Sequence, residues 1–194
     1  MKSDWEITQE RQINDFERGA SVFSDEKRKG AIMVGSILEK LIPGKICLDV
    51  GCGIIPLPRY MKSAPSVKFI GVDPLRGADR KFNFIQCKGE ELPFIDQVFD
   101  AVLFATSIDH IEYPDRAVNE CYRVLKNGGY VIIWGSFRDE GDEKYMKWKK
   151  TRSLDLYKHP WVFTLKSINK LMDRFKLDSV INIQNSEKIL IFKK

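Results

Sequence analysis

Short apolar runs alternate along the chain with longer stretches in which apolar residues recur every three or four positions. The runs predict buried strands, and the longer stretches predict helices that turn one apolar face towards a core. We predict five strands within this alternation, at residues 45–50, 67–72, 82–87, 99–105 and 130–134. Strands that alternate with helices are typical of a parallel sheet covered by helices on both faces.

The helices predicted around these strands span residues 26–41, 57–63, 115–125 and 165–175, with Asp25 capping the first. Two further strands, at 178–183 and 188–192, flank the turn residues Asn185 and Ser186 and predict an antiparallel hairpin. The expected fold class is α/β: a doubly wound, mostly parallel sheet with an antiparallel C-terminal hairpin, in three αβα layers.

Two segments do not follow the alternation. Residues 1–24 are polar with a weak amphipathic pattern, and residues 137–162 are charged and aromatic. We place the second segment over the ligand edge of the sheet and interpret both as lids. Because the chain has no internal repeat, low-complexity tract or linker, we expect residues 1–194 to form one domain.

Composition narrows the class of protein. The 43% hydrophobic and 30% charged shares are ordinary for a globular protein. No apolar run approaches the roughly 18 to 20 residues that a membrane helix needs, and the first residues lack the apolar centre of a signal peptide. The four cysteines form no Cys-x-x-Cys pair. We therefore expect reduced thiols, no metal site and a cytoplasmic location.

The net charge of +5 is mild, but part of it is concentrated in one cluster. Its members are Lys144, Lys147, Lys149, Lys150 and Arg152, interleaved with Tyr145, Met146 and Trp148. Charge runs are usually solvated helix faces, and we favour that interpretation here. Basic residues interleaved with aromatic ones also occur in nucleic-acid binders, which stays as the alternative.

The apolar run from Ile46 to Val50 ends in Gly51-Cys52-Gly53. Glycines at such a turn permit positive φ angles and let a ligand lie against the backbone. Pro56 and Pro58 follow, and proline is tolerated in the first turn of a helix. A strand, a glycine turn and a helix in this order are typical of a nucleotide-binding site.

The residues around this turn restrict the kind of nucleotide. Asp73, 22 positions after Gly51, lies close to the roughly 20 expected of a carboxylate that binds ribose hydroxyls. A dinucleotide site would have glycine at position 56, where this chain has proline, and no basic residue stands in the turn. With no Walker-type loop either, the pattern favours a cofactor without a phosphate group.

Further motifs extend this pattern between residues 45 and 135. They are Leu48-Asp49-Val50-Gly51-Cys52-Gly53, Gly71-Val72-Asp73, Glu91-Leu92-Pro93-Phe94 with Phe99-Asp100-Ala101-Val102, Asp109-His110-Ile111, and Arg123-Val124-Leu125-Lys126 before Gly128-Gly129. In this order the motifs resemble those of class I S-adenosylmethionine-dependent methyltransferases, in the branch that includes the ubiquinone and menaquinone methyltransferases.

The resemblance implies a Rossmann-like seven-stranded sheet that binds S-adenosyl-L-methionine and releases S-adenosyl-L-homocysteine. Asp73 would accept hydrogen bonds from both ribose hydroxyls, and the backbone at Gly51 and Gly53 would pass beside the methionine part. The loop at 88–90 would meet the adenine, and the Ala105 carbonyl would approach the methionine amino group. Asp49 would either orient the turn or reach that amino group through water. The cofactor-binding residues that the resemblance implies are Asp49, Gly51, Cys52, Gly53, Asp73, Pro74, Gly89, Glu90 and Ala105.

Three positions depart from the family pattern. Asn127 replaces a frequent proline at the helix stop, where asparagine also accepts a left-handed conformation. Ile55 stands where a third glycine is frequent, and Lys88 stands where an aspartate often receives the adenine amino group. His110 ends the loop after the fourth strand and is either a general base or a structural histidine. His159 and Trp161 lie in the 137–162 segment and either contact the acceptor or anchor that segment.

We therefore expect methyl transfer to a small-molecule acceptor. The chain has Ala105-Thr106-Ser107 where amino-methylating nucleic-acid enzymes have a Pro-Pro-Tyr/Phe element, which disfavours a DNA methyltransferase. An RNA- or protein-directed methyltransferase and a non-catalytic cofactor-binding subunit stay as alternatives.

Overall fold

The computed structural model describes residues 4–17, 28–76, 79–138 and 160–194. Within them a single seven-stranded sheet has the order β3-β2-β1-β4-β5-β7-β6. The strands are β1 (Ile46–Val50), β2 (Lys68–Asp73), β3 (Asn83–Gln86), β4 (Phe99–Ala105), β5 (Leu125–Ser136), β6 (Lys176–Gln184) and β7 (Glu187–Lys193). The pairs among β1 to β5 are parallel, whereas β7 is antiparallel to both of its neighbours. The predicted mostly parallel sheet and its C-terminal hairpin are confirmed.

Five α-helices and one 3₁₀ turn accompany this sheet in the described part of the chain. They are α1 (Asp4–Glu17), α2 (Lys29–Leu41), α3 (Arg59–Lys62), the 3₁₀ turn (Ile108–His110), α4 (Pro114–Val124) and α5 (Leu165–Leu171). None of these helices has the length and apolar character that crossing a membrane requires.

The two faces of the sheet carry separate apolar cores, which confirms the three αβα layers. Leu48 and Val50 of β1 belong to the core shared with α4 and α5. Cys47 lies in the core shared with α2 and α3, because successive side chains of a strand point to opposite faces. The alternation also turns Asp49 towards α3, where Tyr60 contacts it.

Several predicted boundaries were wrong. The helix predicted at 26–41 begins at Lys29, since Arg28 has an extended backbone, and Asp25 lies outside the described residues. The helix predicted at 57–63 is one turn, and Pro58 precedes it as the N-cap residue. The last helix ends at Leu171 rather than at Phe175.

The start of β5 shows why the fifth strand was predicted too short. Leu125 pairs with Phe99 directly after α4, and the next registered pair is Tyr130 with Ala101. The intervening residues form an irregularity in which Gly128 has a φ of 77°. The turn chemistry of Asn127-Gly128-Gly129 therefore produces a bulge inside a strand instead of separating a helix from a strand.

The strand order reverses between β1 and β4. The chain first adds β2 and β3 on one side of β1 and then returns to place β4 on the other side. In open α/β sheets, ligands bind at the carboxyl ends of the strands beside such a reversal. The glycine turn after β1 and the loop after β4 meet at this position.

Candidate functional site

The glycine turn after β1 combines a closely packed residue with an open one. Gly51 and Gly53 have φ angles of 76° and 67°, in the region that favours glycine. A Cβ built on Gly51 would lie 2.5 Å from the Ser107 Cβ, whereas one on Gly53 would meet nothing within 4 Å. Gly51 therefore allows close packing against the loop after β4, while the backbone at Gly53 is accessible to a ligand.

Asp73, at the end of β2, is only 7% exposed and is held by the backbone. Its Oδ2 accepts from the Gly53 N–H and its Oδ1 from the Leu75 N–H, each at 2.8 Å. Burial raises the pKa of Asp73, and these two hydrogen bonds and the nearby Arg80 charge oppose the rise. A carboxylate has about four acceptor positions. Two acceptor positions are therefore left for the hydroxyls of a ribose.

A cleft with about 1090 Å³ of empty volume opens at these strand ends. It is lined by His110 and by all of the predicted cofactor-binding residues except Asp49, namely Gly51, Cys52, Gly53, Asp73, Pro74, Gly89, Glu90 and Ala105. Sequence reasoning placed these residues on four different strand ends, and the fold brings them into one cavity.

Asp49 lies behind the cleft rather than on its wall. Its side chain is fully buried, and its Oδ2 accepts a hydrogen bond of 2.6 Å from the Tyr60 hydroxyl, which does reach the cleft. This position favours the interpretation in which Asp49 orients the turn. A contact from Asp49 to the cofactor through water stays a prediction.

Charged side chains make the contacts of the loop at residues 88–90, where the adenine is predicted to bind. The Glu90 Oε1 accepts from the N–H of Tyr113, which caps α4, at 3.0 Å. The Lys88 Nζ donates to the Glu112 Oε2 at 2.9 Å and lies 4.2 Å from the centroid of the Trp5 ring. The hydrogen bond to Glu112 raises the pKa of Lys88. Lys88 therefore places a cation on the wall of the cleft, where the family pattern often has an acceptor.

Helix α1 contributes to the same cleft, which the weak sequence pattern did not indicate at residue level. Trp5, Gln9 and Gln12 line the cavity, at spacings that put them on one helix face. The Trp5 indole N–H donates to the His110 carbonyl at 2.9 Å, and the Gln12 amide donates to the His110 Nδ1.

The two acceptor residues predicted from the 137–162 segment have different outcomes. Trp161 does not belong to the described residues that line the cleft; its indole N–H donates to the Ile111 carbonyl at 2.8 Å. His159 lies outside the described residues, as do the lysine cluster and most of the predicted second lid. Contacts from Trp161 and His159 to an acceptor stay predictions.

The structure adds two arginines that sequence reasoning did not assign. No basic residue stands in the turn itself, but the Arg80 guanidinium, from outside the turn, donates to the Gly53 carbonyl at 2.6 Å. The guanidinium of Arg123, in α4, contacts the loop that follows residues 88–90. It donates to the carbonyls of Leu92 and Phe94 and to the carboxylates of Asp96 and Glu120.

We expect Arg123→Met to lower the free energy of unfolding by about 1–3 kcal/mol, because it leaves buried carbonyls of the 92–94 loop without donors. Urea unfolding at neutral pH measures the change. Arg116→Met is the matched control, since Arg116 is exposed on the same helix. Equal effects of the two substitutions would contradict the assignment of a fastening role to Arg123.

The doubly wound sheet, the glycine turn and a buried carboxylate at the end of β2 are typical of nucleoside-binding α/β proteins. Comparison with known proteins makes this more specific. Residues 48–133 match the family model described as a methyltransferase domain. An uncharacterized protein of Methanocaldococcus jannaschii is 33% identical over 149 residues, which cover 73% of this chain and 70% of that protein.

Other relatives match over shorter parts of their length. The probable tRNA methyltransferase 9B of Homo sapiens is 33% identical over 129 residues, or 62% of this chain, and this chain spans only 28% of that protein. The ubiquinone/menaquinone biosynthesis C-methyltransferase of Xanthomonas oryzae is 44% identical over 66 residues, 33% of this chain and 26% of that protein.

Among solved structures, a 1,6-didemethyltoxoflavin-N1-methyltransferase of Burkholderia thailandensis, with bound 1,6-didemethyltoxoflavin and S-adenosylhomocysteine, has a TM-score of 0.76. It is 14% identical and the match covers 100% of this chain and 91% of that one, so the likeness shows the fold. The chain belongs to the class I S-adenosylmethionine-dependent methyltransferases.

The described residues fit the cofactor of this family. Asp73 offers buried acceptor positions beside a turn whose Gly53 backbone is open, and neither feature requires a phosphate. Burial raises the pKa of the Cys52 thiol beside them well above the usual value, which favours the neutral thiol.

Proposed function

We propose that the protein transfers a methyl group from S-adenosyl-L-methionine to a small-molecule acceptor. The observation that carries the proposal is a cleft whose wall combines the glycine turn, the buried Asp73 and the inner face of α1. The hydrogen bonds from Trp5 and Gln12 to His110 hold α1 across this cleft. A cleft covered in this way favours a compact acceptor over a polymer.

When bound, S-adenosylmethionine supplies a methyl group that its sulfonium already makes electrophilic. The chain then has to align the acceptor, exclude water and remove a proton where the acceptor needs it. In our proposal Asp73 holds the ribose, Gly51 and Gly53 face the methionine part, and Ala105 offers its carbonyl to the amino group. Residues 88–90 approach the adenine.

His110 is the candidate general base, and its alternative role is to anchor the turn after β4. Its ring lies on the cleft wall with Nδ1 occupied by Gln12 and with Nε2 3.9 Å from the Asp109 Oδ1. Its main-chain N–H and carbonyl are also used, by Ser107 and Trp5 respectively. These backbone contacts support the anchoring role, and a base is dispensable for carbon or sulfur acceptors.

An RNA-directed methyltransferase is the second candidate. The relatives described as tRNA methyltransferases, from Homo sapiens and from Arabidopsis thaliana, favour it. The lysine cluster would supply the phosphate contacts that such binding requires. A protein-directed enzyme and a non-catalytic subunit remain further alternatives. The cytoplasmic location expected from the cysteines is part of the proposal, and all four of them are free thiols.

The test has two stages. Calorimetry with S-adenosylmethionine and S-adenosylhomocysteine is expected to show binding of both. Transfer from methyl-labelled S-adenosylmethionine is then followed separately into a low-mass metabolite fraction and into total RNA. We expect label in the low-mass fraction, insensitive to ribonuclease. Label found only in RNA would favour the second candidate, and binding without transfer to either fraction or to protein would indicate a non-catalytic subunit.

A further inference from the structure

Arg80 lies between β2 and β3 and reaches back over the glycine turn. Its Nη2 donates to the Gly53 carbonyl at 2.6 Å and to the Leu75 carbonyl at 3.0 Å, and its Nη1 donates to the Arg76 carbonyl. The guanidinium carbon lies 3.5 Å from the centroid of the Phe84 ring. The cation therefore connects the segment after β1 with the segment after β2.

Gly53 and Leu75 are also bound through their N–H groups. The N–H groups of Gly53 and Leu75 donate to the Asp73 carboxylate, while their carbonyls accept from Arg80. Asp73 and Arg80 thus fasten the two strand ends at both the donor and the acceptor groups of their backbones. A planar guanidinium with several fixed donors suits this arrangement, and an ammonium does not.

We propose that Arg80 is a positioning residue that holds the glycine turn against Asp73 and thereby sets the affinity for the cofactor. The proposal rests on the assignment of Asp73 to the ribose made above. Arg80 is not among the described residues that line the cleft, so it acts through the turn and through Asp73.

The charge of Arg80 gives this role a measurable signature. It lowers the pKa of Asp73, against the larger rise caused by burial. Among the described residues, the other titratable groups that interact with Asp73 are the thiols of Cys52 and Cys87, with Asp49 acting on Cys52. Burial raises the pKa of Cys87 to about 11, so these thiols are neutral when Asp73 titrates.

Ribose hydroxyls donate to the ionised form of Asp73. The affinity for the cofactor is therefore at its maximum above the pKa that Asp73 has in the free protein, and it decreases as the pH falls through that value. Removing the Arg80 charge raises that pKa further. The pH midpoint of cofactor binding then moves upwards. A substitution that disturbs the hydrogen bonds from Gly53 and Leu75 to Asp73 would move it too, so a variant that keeps the charge is needed to separate the two causes.

The experiment measures the affinity for S-adenosylhomocysteine by calorimetry across pH, with circular dichroism as the check of folding. Arg80→Met keeps an apolar contact with Phe84 but has neither charge nor hydrogen-bond donors. Arg80→Lys keeps the charge but lacks the planar guanidinium with its several fixed donors. Arg76→Met removes an exposed arginine from the same segment and is the matched control.

We expect Arg80→Met to bind about tenfold more weakly at neutral pH, with its midpoint moved upwards. Arg80→Lys is expected to bind more weakly at an unmoved midpoint, and Arg76→Met to match the wild type. If Arg80→Met fails to fold, the affinity of Arg80→Lys tests the claim that Arg80 sets the affinity for the cofactor.

Failure of the proposed function and failure of the inference about Arg80 give different results. A wild-type protein that binds no S-adenosylhomocysteine at any pH overturns the proposed function. A wild-type protein that binds, together with folded Arg80 variants of wild-type affinity or an Arg80→Met variant with an unmoved midpoint, overturns the inference about Arg80 alone.

Discussion

Asp73→Ala is expected to weaken binding of S-adenosylmethionine by roughly 100-fold. A hydrogen bond to a charged group contributes about 1.5–3 kcal/mol net of its exchange with water, and about 1.4 kcal/mol corresponds to a tenfold change in affinity. The lower value for two such bonds therefore corresponds to roughly 100-fold. The substitution also removes the acceptor for the N–H groups of Gly53 and Leu75, so the turn itself loses a contact. Calorimetry at neutral pH measures the loss.

Asp79→Ala is the control for this substitution, because Asp79 is an exposed aspartate in the same connection between β2 and β3. It removes the same charge from the surface and is expected to leave the affinity unchanged. An Asp73→Ala protein that is folded and binds within twofold of the wild type would remove Asp73 from the cofactor site.

Gly51→Ala is expected to lower the free energy of unfolding by about 3 kcal/mol. About 1–2 kcal/mol comes from the left-handed backbone, and about 1–3 kcal/mol comes from overpacking against Ser107. The φ of 76° and the 2.5 Å approach to the Ser107 Cβ are the causes. Urea unfolding measures the loss, and cofactor binding is expected to fall with it.

Gly44→Ala separates these two causes. Gly44 has a φ of 72°, close to that of Gly51, but a Cβ there would meet nothing within 4 Å. It is expected to cost only the conformational part, about 1–2 kcal/mol. Adding Ser107→Gly to Gly51→Ala should recover part of the packing loss. If Gly44→Ala and Gly51→Ala cost the same, the close approach to Ser107 is not significant.

Elements defined by local pattern were predicted best. The bounds of β4 are those expected from its apolar run, because a central strand is buried on both faces and has little polar sequence to blur its ends. The glycine turn and the place of Asp73 at the end of β2 were also predicted, since this spacing leaves a local signature, whereas the contact from Asp73 to a ribose stays a prediction.

Elements defined by distant contacts were not predicted. Nothing in the sequence around Arg80 indicates that its side chain returns to Gly53, since that contact depends on how two strand ends meet. The bulge in β5 has the same origin: Asn127-Gly128-Gly129 reads as a helix stop until Leu125 pairs with Phe99. The side chains of α1 in the cleft were missed because its amphipathic pattern is weak.

The backbone at His110 and Ile111 receives two indoles from distant parts of the sequence. Trp5 of α1 donates to the carbonyl of His110, and Trp161 donates to the carbonyl of the next residue. Helix α1 and the 160–163 segment therefore share one anchor, directly after β4. Displacing that anchor would weaken both attachments at once, so we expect α1 and the 160–163 segment to open together rather than separately.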